Sequence, residues 1–244
     1  MASPKSGERE HFDRIAGRYE QASHSWQSIY DQLEGRLNPL VAGRRVLSVG
    51  SGANFGYDTS LPAQTIALDI SPSMLDAIDR PDVVKRVGDA RELRSIGDAS
   101  IDVVLFVLSL HHINGPSVRD SLETLERVFA AARRVLRPGG HLVVVESVVP
   151  RWYFALERLL FPLTRRLLGR FGVSMIFLYP LPVLERQIAA HLQVEATEIE
   201  RLRLDVDERI DPFGGSFPGW VSVPARYLPG GYYLVVARAP VATS

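Results

Sequence analysis

The tightest constraint on this chain is a short apolar run, Val46-Leu47-Ser48-Val49, that passes directly into Gly50-Ser51-Gly52-Ala53-Asn54-Phe55-Gly56. Nineteen positions after Gly50, a second apolar run ends in Asp69. A strand that ends in Gly-x-Gly, with an acid closing the next strand, is how a parallel sheet holds a nucleoside. The glycines let the backbone turn tightly and approach the ligand, and the carboxylate accepts hydrogen bonds from ribose hydroxyls. Glycines also serve ordinary turns, so the run acquires meaning only from its surroundings.

Those surroundings alternate between two periodicities. Residues 45–49, 64–69, 83–87, 101–107 and 141–146 read as buried strands, and 194–200 and 232–238 as a sixth and a seventh. Ser71-Pro72 supplies a cap and a first-turn proline for a helix through Asp79, and Ser117 to Leu136 forms a long amphipathic helix stopped by Pro138-Gly139-Gly140. Ahead of them, Arg9 to Glu20 carries Phe12, Ile15, Ala16 and Tyr19 at helical spacing, and a second helix from Trp26 to Leu37 stops near Asn38-Pro39. Strands alternating with helices predict an α/β, doubly wound sheet with ligands at the carboxyl ends of its strands. The expected organisation is a helical cap over residues 1–42 and a Rossmann-like domain over 43–244, with substrate-covering inserts near 151–190 and 205–231.

Composition removes several classes of function. Lysine plus arginine and aspartate plus glutamate number 28 each, so the formal charge of zero argues against nucleic-acid binding driven by phosphate neutralisation. The chain has no cysteine, which excludes disulfides, thiolate metal sites and cysteine nucleophiles, and no metal is expected. Residues 1–10 are polar and lack the core of a signal peptide, and the apolar run 171–184 is too short and too proline-rich to span a bilayer, which predicts a cytoplasmic protein.

Three further pieces sit where a cofactor pocket would need them, the end of the fourth strand at the same edge as Gly50. Gly88-Asp89-Ala90 follows the third strand, Val107-Leu108-Ser109-Leu110-His111-His112 ends the fourth, and Leu136-Arg137-Pro138-Gly139-Gly140-His141 precedes the fifth. With these, residues 12–146 resemble a class I S-adenosylmethionine-dependent methyltransferase, of the kind that includes quinone C-methyltransferases and natural-product methyltransferases. The resemblance implies a mostly parallel seven-stranded sheet with an antiparallel last strand, and S-adenosyl-L-methionine as cofactor. It implies that Gly50, Ser51 and Gly52 lie under the methionine moiety and that Asp69 holds the ribose. Ile70, Asp89 and Ala90 would flank the adenine, Val107 would stand at the end of the fourth strand beside the cofactor, and Tyr19 would close over it.

Two residues depart from that family. Ser48 stands where an acid is usual, and either Asn54 stands at the third glycine position, a residue type that tolerates the positive φ of such a turn, or the loop is shortened ahead of Ala53-Asn54-Phe55. They motivate an alternative, a protein that binds the cofactor without methylating, as a cyclisation catalyst or accessory protein. A nicotinamide dinucleotide site is the competing reading of the glycines, but it requires a helix opening at the third glycine, and the stretch 54–60 offers only a short one.

Methyl transfer to an oxygen or carbon acid needs alignment, exclusion of water and a base. His112, and behind it His111 and Glu146, are the candidates, because they sit at the strand ends where the methyl group should point. Beyond them, Trp152, Leu156, Leu159, Leu160, Leu163 and Leu167 can share one helix stripe, with Arg158, Arg165 and Arg166 off it and Pro162 breaking any single straight helix. The stripe reads as core, as a lid over an apolar acceptor, or as a surface that touches a membrane. Continuing apolar residues through Met175, Ile176, Phe177, Leu178 and Tyr179 predict a small hydrophobic or aromatic substrate, the aromatic residues Phe213, Phe217, Trp220 and Tyr227 mark 211–231 as a long ordered loop, and a homodimer is open.

Overall fold

The structure, a computed structural model, describes residues 8–14, 16, 27–50, 52–170, 176–194, 199–206, 209–210, 223–224 and 227–241. Residues 8–14 are helical (α1). There follow α2 (Gln27–Val41), β1 (Arg45–Val49), β2 (Gln64–Asp69), α3 (Pro72–Asp76), β3 (Val83–Val87) and β4 (Ile101–Val107). Next come α4 (Val118–Val135), β5 (Leu136–Val148), α5 (Arg151–Arg170), α6 (Leu181–Leu192) and β6 (Glu200–Leu204). Two short strands, β7 (Arg209–Ile210) and β8 (Val223–Pro224), pair with each other, and β9 (Gly231–Arg238) is the last.

The main sheet has the order β3-β2-β1-β4-β5-β9-β6. Strands β3, β2, β1, β4 and β5 run parallel, and β9 inserts antiparallel between β5 and β6. This is the expected mixed seven-stranded sheet. Its chain order reverses at β1 and β4, so the crevice beyond the carboxyl ends of those two strands is where the topology makes room for a ligand.

Alternating side chains feed two cores. Leu47, Val49, Val104 and Phe106 face the layer of α4 and α6, where Leu125, Val128, Phe129, Leu184 and Ile188 are buried. Val46, Val103, Leu105 and Val107 face the other layer with Ile29, Leu33, Leu37 and Val41 of α2. Each such side chain contributes about 1.5–3 kcal/mol by leaving water.

Several local expectations are corrected. Helix α2 continues past Asn38 with Pro39 inside it. Its core face, Ile29, Leu33, Leu37 and Val41, is fully buried at four-residue spacing, and that packing outweighs one lost hydrogen bond near the helix end. Helix α3 does have Ser71 as cap and proline in its first turn, but it closes at Asp76 rather than Asp79. No separate turn stops α4: Leu136 is already extended, and Pro138-Gly139-Gly140 forms an irregularity inside β5, where the register shifts between Ile101↔Leu136 and Val103↔His141.

Strand β6 starts at Glu200, where the expected strand ended. The stretch 52–61 is turns and bends with no helix; Phe55 and Tyr57 instead turn into the α2 layer. The positive φ angles of that loop fall on Gly50, Gly52 and Gly56, and Asn54 is not among them. Helix α5 runs unbroken through Pro162. Its leucine stripe is not core: Trp152, Leu156, Leu159, Leu160, Leu163 and Leu167 are all exposed, and the opposite side, with Phe161, packs on the protein. Phe213, Phe217, Trp220 and Met175 lie outside the described residues.

Candidate active site

The cleft begins where β1 ends. Gly50 has φ +66°, its N–H donates to the Leu68 carbonyl at 2.8 Å, and a Cβ added there would lie 3.0 Å from the Cβ of Ser109. Ser109 in turn donates its hydroxyl to the Val49 carbonyl at 2.9 Å, which ties the end of β4 to the end of β1. The cleft is walled by Gly50, Leu68, Asp69, Ile70, Gly88, Asp89, Ala90 and His112, among others.

Asp69 ends β2 almost fully buried, with Oδ1 accepting from the Ser71 N–H at 2.9 Å. Burial pushes its carboxyl up to about 6 against the pull of the backbone donors at Ser71 and Ile70. One strand over, Asp89 accepts from the Arg91 N–H at 2.9 Å. The buried Arg91 guanidinium bridges Asp89 at 3.5 Å and Glu8 at 2.8 Å.

Glu8 belongs to α1, which therefore closes the cleft from above. Asp13 of the same helix accepts the Ser71 hydroxyl at 2.6 Å, and Phe12 meets the His112 ring edge-on at 5.0 Å. Burial pushes the Glu8 carboxyl up despite Arg91 beside it.

At the end of β4, Leu108 is held at φ +50°, a conformation that costs a bulky residue on the order of 1–2 kcal/mol. The bend turns the chain from the strand into a 3₁₀ turn, Leu110–His112, in which the two histidine rings lie 4.1 Å apart between centroids, inclined at 50°. His112 forms part of the cleft wall, half-buried, and burial followed by the neighbouring His111 and His11 holds its imidazole well below the usual range. Its Nδ1 is buried without a partner among the described residues. His111 turns toward β5, where its Nδ1 lies 2.8 Å from Oε2 and 3.1 Å from Oε1 of Glu146.

Of the residues singled out from the sequence, Gly50, Asp69, Ile70, Asp89, Ala90 and His112 meet in the cleft wall. His111 and Glu146 pair beside it. Val107 is buried in the core at the end of β4, and neither it nor Gly52 is in the wall. Tyr19 and Ser51 lie outside the described residues. Glu8, Phe12, Arg91 and Ser109 escaped the sequence reading as site residues. They are revealed by contacts between residues far apart in sequence, Arg91 with Glu8, Phe12 with His112 and Ser109 with Val49, which no local spacing encodes.

Residues 47–144 match the family model described as a methyltransferase domain. Among curated proteins, the demethylmenaquinone methyltransferase of Beutenbergia cavernae is 32% identical over 149 residues, covering 58% of each chain. That of Tropheryma whipplei (strain Twist) is 29% identical over 160 residues, covering 60% of this chain and 62% of its own. The chain thus spans about three-fifths of the length of these relatives. Among solved structures, the [4+2]-cyclase SpnF superposes with a TM-score of 0.63 at 19% identity, covering 99% of this chain and 98% of that one, a likeness of fold. Residues 47–144 are thus a methyltransferase domain, and the curated relatives that match across it are methyltransferases.

Proposed function

We propose that the protein transfers a methyl group to an oxygen or carbon of a small, largely apolar or aromatic acceptor of natural-product or quinone type. The observation that carries this reading is the His111–Glu146 pair set beside the cleft at the ends of β1, β2 and β4. The cleft residues fit the cofactor on their own chemistry. A buried carboxylate such as Asp69 gains from two hydroxyl donors, the partnerless Nδ1 of His112 faces the same region, and Gly50 keeps a side chain out of the floor. Asp69 would hold the ribose, Ile70, Asp89 and Ala90 the adenine, and Gly50 with Ser51 and Gly52 the amino-acid part. Residues 1–42 would act as a cap, latched by Glu8 on Arg91 and by Phe12 on His112.

When bound, S-adenosylmethionine supplies an activated methyl group on a sulfonium. The chain itself must align the acceptor, exclude water and take a proton. Glu146 fixes the proton of His111 on Nδ1, which leaves Nε2 as the acceptor of a hydroxyl or acidic C–H proton. His112, neutral and half-buried, shapes the wall. Phe154, Phe161, Phe177 and Tyr179 form one aromatic cluster next to His111, whose carbonyl accepts from the Phe177 N–H at 2.9 Å; Phe161, Phe177 and Tyr179 are buried in the core, so the cluster supports the turn that carries His111. The relatives named for a demethylated menaquinone point to the same class of acceptor.

The test is calorimetry with S-adenosylmethionine, followed by methyl transfer to a panel of phenols and quinols, with His111→Ala alongside. Cofactor binding with transfer that His111→Ala abolishes supports the reading. Binding without transfer across the panel assigns the chain to the non-methylating alternative. NAD(P)H binding in place of S-adenosylmethionine overturns both.

A further inference from the structure

Helix α5 has two apolar sides, and only one is used by the fold. Phe161 is buried, and Glu157 accepts from the Leu178 N–H at 3.2 Å, so this side faces the protein. On the other side, Leu159 is 76% exposed, Leu163 66%, Trp152 63% and Leu167 53%, with Leu156 and Leu160 beside them. At 3.6 residues per turn these six fall within roughly 100° of the circumference, and the stripe from Trp152 to Leu167 is about 22 Å long. Contiguous exposed apolar surface of this kind marks an interaction site.

The charges decide the occupant. The helix carries five arginines and a single acid, Glu157, which is on the protein-facing side. Arg165 donates to the Gly115 carbonyl, while Arg151, Arg158, Arg166 and Arg170 are exposed around the stripe. Arg158 shares a groove with Glu123 and Glu126 of α4, so Arg151, Arg166 and Arg170 are the cations that flank the leucines. Two copies of α5 packed stripe to stripe would bring these arginines together with no carboxylate on the exposed side to receive them. An anionic lipid surface accepts both the leucines and the cations, the arginine stems lying along the apolar layer and their heads at the phosphates. No helix among the described residues is long and apolar enough to cross a membrane, so the contact is with the surface.

We infer that α5 is an interfacial helix that docks the protein on anionic membranes through Trp152, Leu156, Leu159, Leu160, Leu163 and Leu167, with Arg151, Arg166 and Arg170 paired to lipid phosphates. The inference stands on the helix alone and does not depend on which acceptor is methylated.

The test is co-sedimentation of the full chain with phosphatidylcholine vesicles, with and without phosphatidylglycerol. It compares the wild type with Leu159→Glu/Leu163→Glu and Arg166→Glu/Arg170→Glu, circular dichroism verifying each fold. These positions are solvent-facing, so the variants should fold and should keep cofactor binding. The wild type is expected to partition onto the anionic vesicles, less so as salt is raised, and each double variant to lose at least about tenfold of that partitioning. Wild-type protein that stays in the supernatant overturns the proposal, as do variants that bind like wild type. A dimer in solution that Leu159→Glu/Leu163→Glu splits, without vesicle binding by the wild type, assigns the stripe to a second copy and overturns it too.

Discussion

His111 and Glu146 come from adjacent strand ends and meet at 2.8 Å, Nδ1 to Oε2, with the carboxylate only 2% exposed. A carboxylate so enclosed has little else to receive its charge, so it fixes both the tautomer and the ring plane of the histidine. His111→Ala is expected to lower kcat about 10²–10⁴-fold on an acceptor that must lose a proton, with cofactor affinity within about threefold of wild type. Glu146→Gln, which keeps the shape and removes the charge, should fall between the two. Single-turnover methyl transfer together with calorimetry separates these effects, and an unchanged kcat in His111→Ala removes it as the base.

His112 should behave differently although it is the next residue. Burial holds its imidazole well below the usual range, so the folded protein keeps it neutral while the unfolded chain protonates it near 6.5. Stability from this group is fully present above that value and is lost as pH falls below it, at up to about 1.4 kcal/mol per pH unit. His112→Gln is therefore expected to flatten the loss of stability between pH 6.5 and 5. Urea titrations of both proteins across that range check it. Direct observation of the ring by NMR should show no titration of His112 there.

Asp69 has the opposite sign. Its carboxyl is pushed up to about 6, so its contribution to stability is full below the unfolded value of 3.8 and is lost as pH rises through about 6. Asp69→Asn keeps an oxygen for the Ser71 N–H and removes the buried charge. The variant should be more stable than wild type at pH 8, by about 2–3 kcal/mol at most, and the gap should close by pH 4. Its affinity for S-adenosylmethionine should drop by about two orders of magnitude, because a charged acceptor for the ribose is gone. In the wild type, affinity should weaken as pH falls through 6. Thermal melts and calorimetry at matched pH test both halves.

Much of this molecule is legible in its sequence, for reasons that differ by residue. Val46 to Val49 and Ile101 to Val107 are short apolar runs rich in β-branched residues, and Ser71-Pro72 writes a helix start locally, so the strands and the cleft edge follow. Pro39 and Pro162 mislead because tertiary packing of Leu33, Leu37 and Val41, or of Phe154 and Phe161, overrides a local rule. The apolar stripe of α5 has a readable period but no readable direction: the pattern says that one side is apolar, and only the fold says that this side meets solvent. The division of labour between His111 and His112 is equally invisible in sequence. It depends on the left-handed bend at Leu108, a residue type that does not announce such a conformation.

The glycine at the foot of the cleft offers the cleanest test of close packing between β1 and β4. An alanine at position 50 would have to keep φ near +66°, which costs on the order of 1 kcal/mol, and would set its Cβ 3.0 Å from that of Ser109. Ser109 cannot simply retreat, because its hydroxyl is tied to the Val49 carbonyl. Gly50→Ala is therefore expected to destabilise the protein by about 1–3 kcal/mol and to weaken cofactor binding at least about tenfold, since the displaced backbone lines the cleft. Adding Ser109→Gly removes the contact but not the strained φ, so the double variant should recover only part of the lost stability. Urea denaturation of the single and double variants measures the split, and full recovery in the double variant would show that contact with Ser109, rather than backbone conformation, is what requires glycine here.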